Sequence, residues 1–323
     1  MKNIFFFLFA STATLTSPLF SAAPPSRDVI KETYIAKYLG PTSEQEWEKR
    51  GGNGQVIKIL SDGVTVTSSY TNHHLQGKTT YTYPHTNIPQ FSENYEQGRL
   101  IGKTTYFTSG LPESEENILS NGLLKISSWY TDGVPSSVEE WKGTQLVTGS
   151  YFDKSSEKES SVQEGRGIRI ARDAYGTLIS RDTFANGQIV RKETFYSSGE
   201  PKSSTPYING KIHGLVRTYL MGGEPLSVEE WSQGQKQGAC TQFENGEPHI
   251  TAYFANDQKH GLEQHFKNGT QVVEEIHWKE GKKHGLSCVY INGEAHEQWY
   301  YEDKRVNAFT YQFLTPGQGN RKT

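Results

Sequence analysis

His213, His260 and His284 each precede a glycine, and each stands three residues after Gly210, Asp257 or Gly281. Recurring imidazoles raise the prospect of a zinc site, since neutral histidine is a common ligand of that ion. The stretch HGLEQH, from His260 to His265, approaches a zinc-protease signature, but it has one residue too many for H-x-x-E-H, and that signature needs a helix. Glu229-Glu230 and Glu274-Glu275 are paired carboxylates, which do acid-base work only where they converge on one substrate. Ser155-Ser156-Glu157-Lys158 matches S-x-x-K without an S-D-N or K-T-G companion. GGNGQ at 51–55 lacks the Lys-Ser/Thr of a phosphate loop, and Asn268-Gly269-Thr270 fits a glycosylation sequon. The two cysteines, Cys240 and Cys288, are the material for one disulfide. Whether any of these groups meet depends on the elements that carry them.

Those elements repeat. FANGQIVRKETFYSSGE, YINGKIHGLVRTYLMGGE, WSQGQKQGACTQFENGE, FANDQKHGLEQHFKNGT and WKEGKKHGLSCVYINGE follow one another, and steps of 23, 24, 23 and 24 residues separate Phe184, Tyr207, Trp231, Phe254 and Trp278. YEQGRLIGKTTYFTSGL at Tyr95 is the same unit, YTNHHLQGKTTYTY at Tyr70 a decayed copy, and Tyr300 opens a last partial one that continues YEDKRVNAFTYQF from Tyr301. About ten units cover 70–313. In the unit at Trp278, Leu286 to Tyr290 is too short for a helix and rich in strand formers, Asn292-Gly293 is a hairpin turn, AHEQWYY is a return strand and EDK a second turn. The period is therefore that of one hairpin.

Glycine punctuates it. Gly210, Gly214, Gly234, Gly238, Gly261, Gly281, Gly285 and Gly293 are expected as structural turn glycines, Gly285 also where a strand begins and a neighbouring backbone or ring comes close. Aromatics recur as regularly. Tyr95, Phe184, Tyr207, Trp231, Phe254, Trp278 and Tyr300 stand three residues before the first glycine position, and Phe107, Phe152, Tyr196, Tyr219, Phe243, Phe266 and Tyr290 nine after it. Equivalent strand positions fall on one face, so both sets are expected to form ladders that bury one hairpin against the next. Tyr207, Tyr219, Trp231, Phe254, Phe266, Trp278 and Tyr290 are the candidate anchors should part of a ladder line an open groove.

Hairpin order also settles the chemistry expected. Successive hairpins advance by two strand spacings, roughly 10 Å, whereas ligands of one zinc lie near 2 Å, so the histidines read as turn residues set by the repeat. Adjacent carboxylates on a strand point to opposite faces. Cys240 and Cys288 stand two repeats apart, about 20 Å, against a limit of about 7 Å for a disulfide. No catalytic set, metal, cofactor or disulfide is expected.

The unit resembles the MORN repeat in its bacterial variant form, roughly Y-x-N-G-K-x-H-G-x-x-x-x-Y-x-x-N-G, most closely at Tyr207 to Gly223 and Trp278 to Gly293. The likeness weakens between Gly122 and Gly176, where SSEKESSVQEG reads as an exposed, charged loop. The resemblance implies an all-β fold, an elongated single-layer antiparallel sheet of consecutive hairpins used for binding and scaffolding. Some members of the family are linked to phospholipid.

Around the repeats, 1–23 reads as a cleavable export signal: Lys2, an apolar run from Ile4 to Ala10 too short to span a bilayer, then small residues at Ser21, Ala22 and Ala23. The cleavage site is open between Ala22 and Ala23, and with no cysteine nearby a lipid anchor is not expected. Residues 24–69 read as an N-terminal cap, with a short helix begun by the Ser43-x-x-Glu46 box and stopped at Gly51, then two strands around Asp62-Gly63. Residues 314–323 are a polar tail.

With 33% hydrophobic residues, mean hydropathy of -0.69 and net charge of -3, the chain offers neither one large core nor the basic face that nucleic acid requires. Its interspersed charges do not favour an anionic leaflet. SVEEWSQG and VVEEIHWKEG put carboxylates on both strand faces, against an outer-membrane barrel. The expectation is a periplasmic or secreted bacterial scaffold, not an enzyme, that binds an unknown protein or peptide along its sheet. Its specificity is expected at non-repeated positions such as Arg217, Glu229, Glu230 and Glu274.

Overall fold

The computed structural model describes residues 28–316; the segment expected to be an export signal, 1–23, and most of the expected polar tail, 314–323, lie outside them. The fold is all-β, with 28 strands and two short helices among the described residues. Two compact units divide it, Met1–Thr144 and Gln145–Thr323.

In the first unit, Val29–Ala36 lies between Gly40–Thr42 and Gly54–Leu60. Thr65–Thr71, His74–Thr82, Pro89–Glu96, Arg99–Tyr106, Pro112–Ile118, Leu124–Trp129 and Pro135–Lys142 follow, each antiparallel to its predecessor. The expected helix is Glu44–Lys49, where the Ser43 hydroxyl accepts from the Glu46 N–H at 3.3 Å. It drops Trp47 onto Tyr34 and Tyr70, with ring centroids at 5.5 Å from each, and onto Ala36 and Val56. A helix this short gains its stability from that burial.

The second unit continues the same order. Gln145–Phe152, Lys158–Gln163, Arg166–Arg172, Leu178–Ala185, Gln188–Phe195 and Pro201–Ile208 pair in turn. Gly214–Tyr219, Pro225–Ser232, Gln235–Glu244 and Glu247–Ala255 come next. Gly261–Lys267, Gln271–Lys279, Gly285–Ile291, Glu294–Tyr301 and Lys304–Val306 complete it. No helix among the described residues is long and apolar enough to cross a membrane.

Two-residue turns close the last hairpins. Glu280-Gly281 (φ 51° and 77°) and Asn292-Gly293 (φ 51° and 87°) have both central residues left-handed, the primed geometry that matches strand twist. Upstream, the second end is wider: the Tyr196 N–H donates to the Glu200 carbonyl at 2.9 Å, that of Gly199 to the Tyr196 carbonyl at 2.8 Å, and Gly199 has φ 89°. This is a turn closed by a glycine bulge.

Four expectations need correction. The stretch SSEKESSVQEG is a turn followed by the strand Lys158–Gln163; its charges face water, while Val162, 1% exposed, secures it to the sheet. The last partial unit turns after Lys304–Val306 into the helix Ala308–Leu314, because Asn307 Oδ1 caps the Thr310 N–H at 2.7 Å and Tyr311 is buried against Trp299 and His284. The histidines are bulge residues, not turn residues: the N–H groups of His213, His260 and His284 donate to the carbonyls of Pro206, Tyr253 and His277 at 3.1, 2.8 and 2.8 Å, and the glycine that follows each has φ of 105°, 88° or 109°. Gln188–Phe195 and Arg99–Tyr106 run without that His-Gly step, so Phe195 and Tyr106, paired with Pro201 and Pro112, are the equivalents of Tyr219, paired with Pro225. Tyr196 and Phe107 instead begin turns.

Candidate functional site

Strand registers in the second unit assign every side chain to one of two faces, because paired residues share a face and successive ones alternate. Tyr207, Trp231, Phe254, Trp278 and Tyr300 share the first with Ser227, Glu229, Cys240, Ala252, Glu263 and Ile276. This face is packed. Tyr219, Phe243, Phe266 and Tyr290 lie on the other. The two aromatic sets are therefore ladders on opposite faces, and the seven candidate anchors form no common groove.

On the packed face the rings alternate with lysines. Lys236 Nζ lies 5.7 Å from the Trp231 ring and 5.0 Å from that of Phe254; Lys259 Nζ is 4.7 Å from Trp278; Lys283 Nζ is 6.0 Å from Trp278 and 5.4 Å from Tyr300. Each such cation–ring contact stabilises by about 0.5–1 kcal/mol at an exposed site and more when desolvated. Carboxylates complete the strip. Glu229 accepts from Trp231 Nε1 at 3.1 Å and Lys236 Nζ at 2.9 Å. Glu263, 4% exposed, accepts from Lys259 and meets His265 Nε2 at 2.8 Å, while His265 Nδ1 lies 3.5 Å from Glu274. Burial pushes the Glu263 carboxyl upward, but the His265 and Lys259 hydrogen bonds prevail and hold it below its ordinary value. Burial, then the charge of Asp182, raises the Tyr207 hydroxyl.

This face is occupied by its own groups. Both nitrogens of His265 lie against carboxylates, so the imidazole has no nitrogen left for substrate. A glutamate two residues before an aromatic marks the arrangement, at Glu93–Tyr95 (2.8 Å), Glu139–Trp141 (3.0 Å) and Glu229–Trp231. That spacing is readable in the sequence, where the adjacent pairs Glu229-Glu230 and Glu274-Glu275 mask it. Those pairs do divide between the faces: Glu275 accepts from Tyr290 Oη at 2.9 Å and Gln264 Nε2 at 2.8 Å on the side away from Glu274. The Tyr290 hydroxyl is raised by that hydrogen bond first and by burial second.

Cys240 and Cys288 are both free and buried. They lie on opposite faces, since Cys240 pairs with Ala252, while Cys288 leads through Glu275 and Gln264 to Thr251. Among the described residues no three His, Cys, Asp or Glu side chains are placed to hold a metal ion.

The second face is the more exposed one, although Cys288 is buried on it. Pro206, Glu230, Tyr253 and His277 each directly precede a ladder aromatic and so point away from it. Each overlies a glycine of the next strand. A Cβ on Gly214 would lie 3.2 Å from Pro206 Cγ, one on Gly238 2.1 Å from Glu230 Oε2, one on Gly261 3.8 Å from Tyr253 Cβ, and one on Gly285 3.3 Å from His277 Cβ. Of these bulge glycines, Gly214, Gly238 and Gly285 thus leave room for the side chain beside them, whereas a Cβ at Gly261 would make ordinary contact and glycine there serves the positive φ of 88°. Gly210, Gly234, Gly281 and Gly293, with φ between 75° and 87°, are turn residues. Of the four residues expected to carry specificity, Arg217 and Glu230 are exposed here, whereas Glu229, a repeated position after all, and Glu274 are held on the packed face. At the last hairpin, Trp299 in the equivalent position is covered by Tyr311, ring centroids 5.0 Å apart.

No family model matches the chain, and no characterised protein matches it. A solved structure described as "Crystal Structure of TcdB2-TccC3-Cdc42" is similar at 8% identity with a TM-score of 0.15, over 76% of this chain. The chain spans 19% of the length of that protein.

Proposed function

We propose that this protein is an exported, non-enzymatic MORN-type repeat scaffold that binds another protein or an extended peptide along the open face of its second unit. One observation carries the reading: Pro206, Glu230, Tyr253 and His277 occupy the same structural position in successive hairpins, yet differ in chemistry. A constant frame presenting a changing residue every two strands, about 10 Å, is the arrangement of a recognition surface. Tyr253 is 53% exposed, and tyrosine in that setting is a good anchor. The packed face, with its lysines, carboxylates and rings engaged with each other, supplies the rigidity that such a surface needs.

The test is affinity capture with the purified tagged chain, followed by titration of the captured partner against variants. Tyr253→Ala and His277→Ala should each weaken binding by about tenfold; the first should shift stability by less than about 0.5 kcal/mol, and the second, which also removes the 2.6 Å contact of His277 Nδ1 with the Leu286 carbonyl, by about 1 kcal/mol. Binding unaffected by both, together with Glu230→Ala, would refute the assignment of this face.

A further inference from the structure

The open face changes character toward its N-terminal strands. Arg166, Arg181, Arg191 and Arg217 are all exposed there. Register places Arg181 opposite Glu193, Glu193 opposite Ser204 and Ser204 opposite Arg217, while Arg191 stands two residues along from Glu193, between Thr183 and Pro206. Arg181 and Arg217 are thus three strands apart, about 14 Å, and the Arg191 row is displaced by about 7 Å along the strands.

Among the described residues Arg166, Arg191 and Arg217 make no ion pair, and Arg181 contacts only the Phe195 ring, at 5.7 Å. The arginines that do have carboxylate partners nearby are different ones. Arg169 reaches Asp182 on the packed face, and Arg172 reaches Glu159 at 2.6 Å. Between the free guanidinium groups stand apolar side chains, Ile168 at 39% and Leu215 at 41% exposure. Glu193 is the one carboxylate on this face of the strands from Arg166 to Tyr219.

Four exposed guanidinium groups face Glu193 on these strands and Glu230 on the next, still a local excess of positive charge in a chain whose net charge is -3. Arginine rather than lysine at all four positions matters, because its planar fork binds carboxylates bidentately and is enriched at protein interfaces where lysine is depleted. The interspersed aliphatic groups favour a polypeptide over a bare polyanion. An extended chain lying along these strands repeats its side chains on one side every 6.6–7 Å or so, which matches the offset between the Arg181 and Arg191 rows.

We infer that the open face of the strands from Arg166 to Tyr219 binds an extended acidic segment of a partner protein, with aspartate or glutamate at alternate positions. This rests on the proposed function and names the chemistry of the partner at one end of that face.

A random dodecapeptide library displayed on phage, selected against the purified chain, tests it. The selected peptides should be enriched in Asp and Glu at i and i+2, and Arg181→Glu with Arg191→Glu should weaken them by about tenfold or more, with the effect fading at high salt. Selection without acidic bias, or acidic peptides that bind the charge-reversed variant equally well, would overturn the inference. So would binding of phosphatidylglycerol vesicles that depends on these arginines when no acidic peptide binds, which would assign the patch to a lipid surface. If peptide capture depends on Tyr253 and His277 but not on the arginines, this inference falls and the scaffold reading stands. If it depends on neither set, both fall.

Discussion

Replacing Glu263 by glutamine removes one negative charge from the centre of the lysine and aromatic strip while keeping its shape. The carboxylate is 4% exposed and serves Lys259 and His265. Breaking a wholly buried ion pair costs about 3–5 kcal/mol. The Lys259 and His265 side chains remain 36% and 25% exposed, however, so water recovers part of that cost, and we expect a loss of about 2 kcal/mol. The strip belongs to a repeat array that opens locally, so the assay is amide hydrogen exchange in Gly261–Lys267 and Gln271–Lys279. At pH 7, protection there should fall about thirtyfold, the equivalent of 2 kcal/mol. The pH dependence supplies a second check. The Glu263 carboxyl is held below its ordinary value of 4.5 in the folded chain, so its contribution is complete above that pH and is lost as pH falls through the lower folded value. Wild type and variant should therefore converge as pH falls below that depressed value. A change in protection under about threefold at pH 7, or a deficit that persists unchanged in acid, would refute the reasoning.

Two further outcomes are expected. Burial first, and Lys279 next, lower the pKa of His284 from 6.5 against the opposing pull of Glu302; its Nε2 is buried without a hydrogen-bond partner and its ring packs on Tyr301 and Tyr311. Docking of Ala308–Leu314 should accordingly be firm above pH 6.5 and loosen as pH falls through the depressed folded value, seen as lost amide protection in that helix, and His284→Gln should flatten the response. Burial raises the thiol pKa of both Cys240 and Cys288, so native protein should react with a disulfide reagent at pH 8 at least about a hundredfold more slowly than protein in urea. A rapidly labelled native thiol would contradict their burial.

Much of the fold is legible in the residues because glycine and aromatic positions recur at the period of a hairpin. Ser43-x-x-Glu46 announces its helix, and Asn292-Gly293 its turn, through purely local chemistry. What escapes is what depends on parity. Inserting His213-Gly214 as a bulge moves every later residue of that strand by one position relative to Gln188–Phe195, so a fixed count from the first glycine aligns Tyr219 with Tyr196 rather than Phe195. The same parity puts the two aromatic sets on opposite faces, which spacing alone does not reveal. Lys236, Lys259 and Lys283 read as ordinary surface charges until register sets them against Trp231, Phe254 and Trp278. The helix Ala308–Leu314 was hidden because its Tyr and Phe residues imitate the strand formers of the repeat. The arginines of the open face are scattered over 52 positions from Arg166 to Arg217, and only strand pairing gathers them.

Seating Pro206, Glu230, Tyr253 and His277 over glycines has a further effect. Each lacks a neighbouring side chain on that flank, so altering one leaves the next undisturbed, and their contributions to affinity should sum. Such an array can be retuned one letter at a time, without renegotiating the fold that displays it.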